Sequence, residues 1–248
     1  MTDSTKRFSD RVEDYIKYRP NYPNDLVRIL EEVVKINPAQ LVADIGSGTG
    51  ISSMPFSKNG YTVMGIEPNK EMREAAEQLL SGFKNFKSVN GSAEQTNLED
   101  NSVDVVFSGQ AFHWFDKEKN KVEFSRILRE KGNIILAWNE RSTKSSFQQE
   151  YEQVLYDNIP EYRFVNHRNI NEDIIAQFFS PKALNKISLE NRQILDFTGL
   201  VGRLRSSSYC PKSGEQYDKL MHEIKLLFDR FKNDDTVSFK YETKIYWC

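Results

Sequence analysis

Leu41-Val42-Ala43-Asp44-Ile45-Gly46-Ser47-Gly48-Thr49-Gly50 is the stretch whose reading decides the fold. A short apolar run carries an acid and then three glycines at alternate positions. The apolar part reads as a buried strand of a parallel sheet, and the glycines as the tight turn that leaves it. Glycine reaches positive φ at little cost, and without a Cβ it lets a ligand lie against the main chain. The stretch therefore marks a cofactor site.

On the N-terminal side, an amphipathic helix from about Pro23 to Lys35 carries Leu26, Val27, Leu30, Val33 and Val34 on its apolar face. On the other side, the pattern predicts a helix over Ile51–Asn59 that tolerates Pro55 only near its first turn. Strands follow at Tyr61–Ile66, Phe86–Asn90, Val103–Ser108 and Asn133–Trp138. Between them lie a helix capped by Asn69, with Met72, Ala75, Ala76, Leu79 and Leu80 inward, and one around Lys121–Arg129. After Trp138 the alternation stops. Helices are expected at Ser146–Tyr156, Asn171–Phe179 and Gly214–Phe231, and extended segments at Ile187–Leu195 and Val237–Trp247. The last strand alternates Val237, Phe239, Tyr241 against Ser238, Lys240, Glu242, which suits an antiparallel partner near the sheet edge. The expected fold is α/β: a doubly wound, mostly parallel sheet of seven strands with an antiparallel edge strand. An inserted, mainly helical cap spans about residues 139–186, and residues 1–248 form a single domain.

Composition narrows the function. The 248 residues carry 34 basic and 36 acidic side chains, a formal charge of −2, which leaves no electrostatic footprint for nucleic acid. The polar start, Met1-Thr2-Asp3-Ser4-Thr5-Lys6-Arg7, leads into no apolar signal core. No apolar run approaches the roughly 20 residues that span a bilayer. Cys210 and Cys248 lie far from any metal-ligand spacing. A reduced, cytoplasmic protein without structural metal is the expectation.

The glycine spacing discriminates among cofactors. A dinucleotide fingerprint would need glycine where Ile51 stands, and a P-loop would need a Lys-Ser/Thr pair after its last glycine. Both phosphate readings weaken. Gly-x-Gly-x-Gly with Asp44 before it, and Glu67 ending the second strand, resembles the first motifs of class I S-adenosylmethionine-dependent methyltransferases. The likeness is strong from Phe8 to Trp138 and looser beyond. The Ala111-Phe112-His113-Trp114-Phe115 stretch further resembles the subgroup containing trans-aconitate methyltransferase and related yeast-type small-molecule enzymes.

The resemblance implies a Rossmann-like methyltransferase fold with S-adenosyl-L-methionine as cofactor. It places Asp44, Gly46, Ser47, Gly48, Thr49 and Gly50 around the methionine part, and Glu67-Pro68 at the ribose, where one carboxylate accepts from two hydroxyls. Ser92, Ala93 and Glu94 would meet the adenine, and Ser108, Gln110 and Ala111 the cofactor's amino acid and the acceptor. It also implies an N-terminal lid over about residues 1–24. There Tyr18 and Arg19 would contact the cofactor, Arg19 through its carboxylate, and Tyr15 would wall the acceptor pocket. Competing readings stay open: Glu67 as a strand-end acid, Glu94 as a helix-start carboxylate, the tyrosines as an arm packed on the sheet.

Methyl transfer from a sulfonium is an in-line displacement, so alignment supplies much of the acceleration. A base is needed only for a protonated acceptor. His113, just after the fourth strand, is the candidate base or acceptor positioner, with Trp114 beside it; the alternative makes His113 a packing residue and Phe112, Trp114 and Phe115 core. Arg203 and Arg205, in Gly202-Arg203-Leu204-Arg205-Ser206-Ser207-Ser208-Tyr209, suit an anionic acceptor if they face the pocket, with Arg205 the substrate-binding candidate. Otherwise they are solvated arginines of a helix end. Trp138 and Asn139 would border the cavity, and His167 and His222 read as surface residues. Ser108-Gly109-Gln110-Ala111 lacks the Asn/Asp-Pro-Pro-Tyr run of base and glutamine methylation, and no Pro-Cys nucleophile serves cytosine chemistry. The expected activity is methyl transfer to an O, N or S atom of a small molecule such as a carboxylate. A non-catalytic ligand-binding protein of the same fold and an RNA methyltransferase are the alternatives.

Overall fold

The structure is a computed structural model that describes residues 12–164 and 171–248. Seven strands form one sheet in the order β3-β2-β1-β4-β5-β7-β6. They are β1 (Leu41–Ile45), β2 (Thr62–Ile66), β3 (Phe86–Val89), β4 (Val103–Gly109), β5 (Leu128–Arg141), β6 (Asn185–Leu195) and β7 (Val237–Trp247). The first five are parallel, and β7 runs antiparallel to both β5 and β6. The antiparallel strand thus lies one place in from the edge, and β6 is the edge strand.

Strand alternation splits the sheet's side chains between two layers. Val42, Val63, Val105, Phe107, Ile135, Ala137 and Ile245 face α2 (Leu26–Val33) and α3 (Met54–Lys58). Ala43, Ile45, Ile66, Val106, Leu136 and Trp138 face the opposite layer, with α5 (Lys117–Ile127) and α7 (Glu172–Phe179). Asn69 caps α4 (Lys70–Leu79), its side chain accepting from Met72 N at 2.9 Å. α5 starts four residues before the expected Lys121 because Asp116 caps it, accepting from Lys119 N at 3.2 Å. Pro55 falls at the first turn of α3, the place where a missing N–H costs nothing.

A third apolar cluster lies beyond the end of β5. There β6 and β7 continue as a two-stranded ribbon, since Val237–Lys240 pair only with β6. Phe239 and Tyr241 pack against α6 (Ser146–Asn158), α8 (Phe197–Arg205) and α9 (Glu215–Phe231). The cap therefore draws on α6, α8 and α9, not only on residues 139–186. Within that span, α7 belongs to the sheet layer, because Phe178 packs edge-on against Phe112 and Phe124, with centroids 4.7 and 6.0 Å away.

Two helices escape the sequence pattern. α8 is capped by Asp196, which accepts from Gly199 N at 2.6 Å, but Gly199 and Gly202 mask its periodicity. Gly202 is small for a reason: a Cβ there would lie 2.2 Å from the ring of Tyr18. That ring comes from α1 (Val12–Tyr18), which packs across α8. Of the expected lid, residues 1–11 lie outside the described residues, as does His167.

Candidate active site

The glycine turn joins β1 to α3 at the C-terminal edge of the sheet. Gly46, Gly48 and Gly50 all have positive φ, +70°, +54° and +84°. Their surroundings differ. A Cβ on Gly46 would stand 2.7 Å from Ala111 Cβ, and one on Gly50 2.9 Å from Leu80 Cδ1. A Cβ on Gly48 would meet nothing within 4 Å. The outer two glycines serve close packing, and the middle one faces an open cradle.

Glu67 ends β2 beside that cradle. Its Oε2 accepts from Gly48 N at 3.1 Å and its Oε1 from Asn69 N at 2.9 Å. Burial raises its pKa, partly offset by those two amides and by Arg73. Two amides thus fix the carboxylate's direction and leave lone pairs on each oxygen for other donors. Asp44 is fully buried below the turn, where its Oδ2 accepts from the Ser52 and Ser53 hydroxyls, both at 2.6 Å. Burial pushes its pKa up to about 6 against the pull of those hydroxyls. Among the described residues, nothing bonds Asp44 Oδ1, Thr49 Oγ1 or Ser108 Oγ, all buried around the turn.

Ser92, Ala93 and Glu94 lie on a loop after β3, not at a helix start. The Ser92 hydroxyl accepts from the amides of Glu94 and Gln95, and Glu94 Oε1 accepts from Asp116 N at 3.1 Å. One oxygen of the expected adenine ligand therefore holds the cap of α5. After β4, Gln110 takes φ +59°, sends its N–H to Ala137 O at 2.9 Å, and donates through Nε2 to Asn139 O at 3.1 Å. Phe112–Trp114 is a single 3-10 turn. Phe112 is buried and Phe115 packs beside it, whereas His113 is half-buried against the exposed Trp114, ring centroids 4.8 Å apart.

Sequence reasoning missed Tyr22. Its hydroxyl presses on Gly109, where a Cβ would lie 2.4 Å away, and no described residue bonds it. Burial raises its pKa well above the phenol range, with Asp44 and Tyr15 adding to the shift. Only the fold brings this residue to the end of β4.

The N-terminal residues depart from expectation. Tyr18 packs on Gly202, and its carbonyl accepts from Gln193 Nε2 at 3.1 Å. Arg19 stands over the Tyr15 ring at 4.8 Å and donates to Ser206 O at 2.9 Å, beside Arg203. Their described contacts are thus with β6, α8 and the segment after it. The arginines of α8 also part company. Arg205, the substrate-binding candidate, is exposed and pairs with Asp14 at 3.5 Å. Arg203 is buried, against the reading of both as solvated, and bonds Tyr241 Oη at 3.0 Å and Ser207 Oγ at 3.2 Å. Trp138 turns into the sheet core against Phe112 and Tyr246. Strand alternation sends Asn139 to the other face, where it donates to Asn21 O and accepts from Thr243 Oγ1. His222 is exposed on α9. No cluster of metal-ligating side chains occurs among the described residues.

Comparison with known proteins fits this geometry. Residues 43–136 match the methyltransferase domain family. An uncharacterized methyltransferase of Mycobacterium tuberculosis is 31% identical over 153 residues, 62% of this chain and 60% of that protein. Over these residues the chain is similar to methyltransferase domains. A methyltransferase-like protein of Schizosaccharomyces pombe is 26% identical over 251 residues, covering 96% of this chain and 93% of its own. A solved protein from Anaeromyxobacter dehalogenans shares the fold, with a TM-score of 0.68 at 19% identity over 93% of this chain and 97% of its own. The match spans about three fifths of the length of the mycobacterial relative. No described helix is long and apolar enough to cross a membrane.

Proposed function

We propose that this methyltransferase-fold protein transfers a methyl group from S-adenosylmethionine to an O, N or S atom of a small molecule in the cytoplasm. The observation that carries the reading is the open face of Gly48 beside the amide-held Glu67 carboxylate. A phosphate-free nucleoside fits there: Glu67 has lone pairs for two ribose hydroxyls, and Asp44 Oδ1 an acceptor for an ammonium group. When bound, the cofactor supplies an electrophilic methyl on a sulfonium sulfur.

The chain's own residues then have three tasks. Gly46 and Gly50, locked by packing, hold the backbone of the cradle in one conformation. Gln110, strapped to β5 through Ala137 and Asn139, fixes the wall at the end of β4, so that alignment supplies the acceleration. His113 takes the proton of a protonated acceptor or holds the acceptor by hydrogen bond. Calorimetry with S-adenosylhomocysteine on the full chain tests the reading. Binding is expected, and its absence overturns the proposal.

A further inference from the structure

Beyond the end of β5, side chains from seven separate segments converge on a buried chamber. Arg141 ends β5, Arg203 comes from α8, and Arg19 follows α1. Tyr151 of α6, Tyr162 of the following 3-10 turn, Tyr209 and Tyr241 of β7 stand around them. Three guanidinium groups are thus gathered under the cap. Among the described residues, the only carboxylate bonded to any of them is Glu152, 2.7 Å from Arg141. Its Oε1 also accepts from Tyr162 Oη at 2.7 Å.

This charge balance is costly. A buried ion carries a desolvation penalty of several kcal/mol unless a counter-ion and hydrogen bonds offset it. The Arg141 side chain is only 9% exposed, and its Nε, like that of Arg19, has no bonding partner among the described residues. One of the surrounding phenols, Tyr209, responds to the excess of positive charge. Burial alone would push the Tyr209 phenol up. Instead Arg141, Arg203, a hydrogen bond with Ser207 and Arg19 draw it below its ordinary value. A structural ion pair would carry one acid per base. Here the bases outnumber the acids bonded to them among the described residues.

The chamber adjoins the methyltransferase site. Gln110 Nε2 donates to Asn139 O, and Arg141 lies two residues further on the same face of β5, roughly 7 Å along the strand. Tyr15 connects the two sides: Arg19 sits on its ring, and it lies near enough to Tyr22 to raise that phenol's pKa. We propose that Arg141, Arg203 and Arg19 bind an oxyanion group, carboxylate or phosphate, of the methyl acceptor. This assignment deepens the methyl-transfer reading and rests on it. The guanidinium is suited to the task, because its planar fork matches both oxyanions and its charge persists at any working pH.

The test is titration calorimetry on the full chain loaded with S-adenosylhomocysteine, using succinate, inorganic phosphate and neutral succinamide as probes. Succinate or phosphate is expected to bind while succinamide does not, and the preferred anion names the acceptor class. Because Arg141→Met takes from Glu152 its ion pair with Arg141, the informative variants are Glu152→Gln and the double variant Arg141→Met/Glu152→Gln. Removing the competing acid should tighten the preferred anion about threefold, and the double variant should weaken it about tenfold or more. S-adenosylhomocysteine affinity should stay unchanged in both. A protein that binds S-adenosylhomocysteine but neither anion overturns the proposal, as does unchanged anion affinity in the double variant. Failure to bind S-adenosylhomocysteine overturns the methyl-transfer reading instead, and the anion titrations on unloaded protein still judge the chamber.

Discussion

The glycine turn after β1 and the arginine chamber beyond β5 stand at the same edge of the sheet but are made of different materials. The turn is backbone: three glycines at positive φ, amides of Gly48 and Asn69 on one carboxylate, and a cradle with no side chain in it. The chamber is side chain, with guanidinium and phenol groups brought from β5, β7, α6, α8 and the segment after α1. A backbone site recognises what every cofactor molecule shares. A side-chain site recognises what distinguishes one acceptor from another, and its residues can change without disturbing the turn.

The difference can be broken most forcefully at Gly46. Gly46→Val forces a Cβ to within 2.7 Å of Ala111 Cβ at a φ of +70°. Overpacking and strain together should cost about 3 kcal/mol, lowering the melting temperature by roughly 6–12 °C and abolishing S-adenosylhomocysteine binding. Gly48→Val meets no neighbour, so it should cost only about 1–2 kcal/mol of backbone strain. It should still weaken S-adenosylhomocysteine about tenfold or more while leaving succinate or phosphate affinity alone. If calorimetry shows both ligands weakened equally, the two sites are not separable.

In the chamber, Tyr241→Phe removes the oxygen that accepts from Arg203 and donates to Gln193 Oε1 at 2.7 Å. Chemical denaturation should register a loss of about 1–2 kcal/mol, with S-adenosylhomocysteine affinity unchanged. The smallest effect concerns Asp44. Its carboxyl holds a proton more tightly folded than unfolded, so its contribution to stability is full below about 3.8 and is lost as pH rises through about 6. Pairing with a cofactor ammonium needs the ionised form. Affinity for S-adenosylhomocysteine should therefore rise about tenfold from pH 5 to 7, and Asp44→Asn should flatten that profile.

Legibility in the sequence followed the same division. The strands β1 to β4, the cap of α4 and the acid at Glu67 could be read because each depends on residues within a few positions. The extra turn of α5 depended on Asp116, a cap that the apolar pattern did not point to. α8 was hidden because two glycines interrupt its periodicity, and Gly202 answers to a distant ring, Tyr18, and not to helix propensity. Arg203 and Arg205 looked alike, since nothing in a four-residue window says which one the cap will bury. Tyr22 carried no signal beyond a tyrosine before a proline.

The sequence by itself determined the sheet and the glycine turn, because alternation, capping and positive φ are short-range constraints written into neighbouring residues. Tertiary structure alone decided that Arg19, Arg141 and Arg203 share one buried chamber, that Trp138 faces the core and that Glu94 holds the backbone N–H of Asp116, the cap of α5. Those outcomes depend on how α6, α8 and the β6–β7 ribbon close over the end of β5. Segments more than a hundred residues apart meet there through burial and charge, for which the chain carries no local mark.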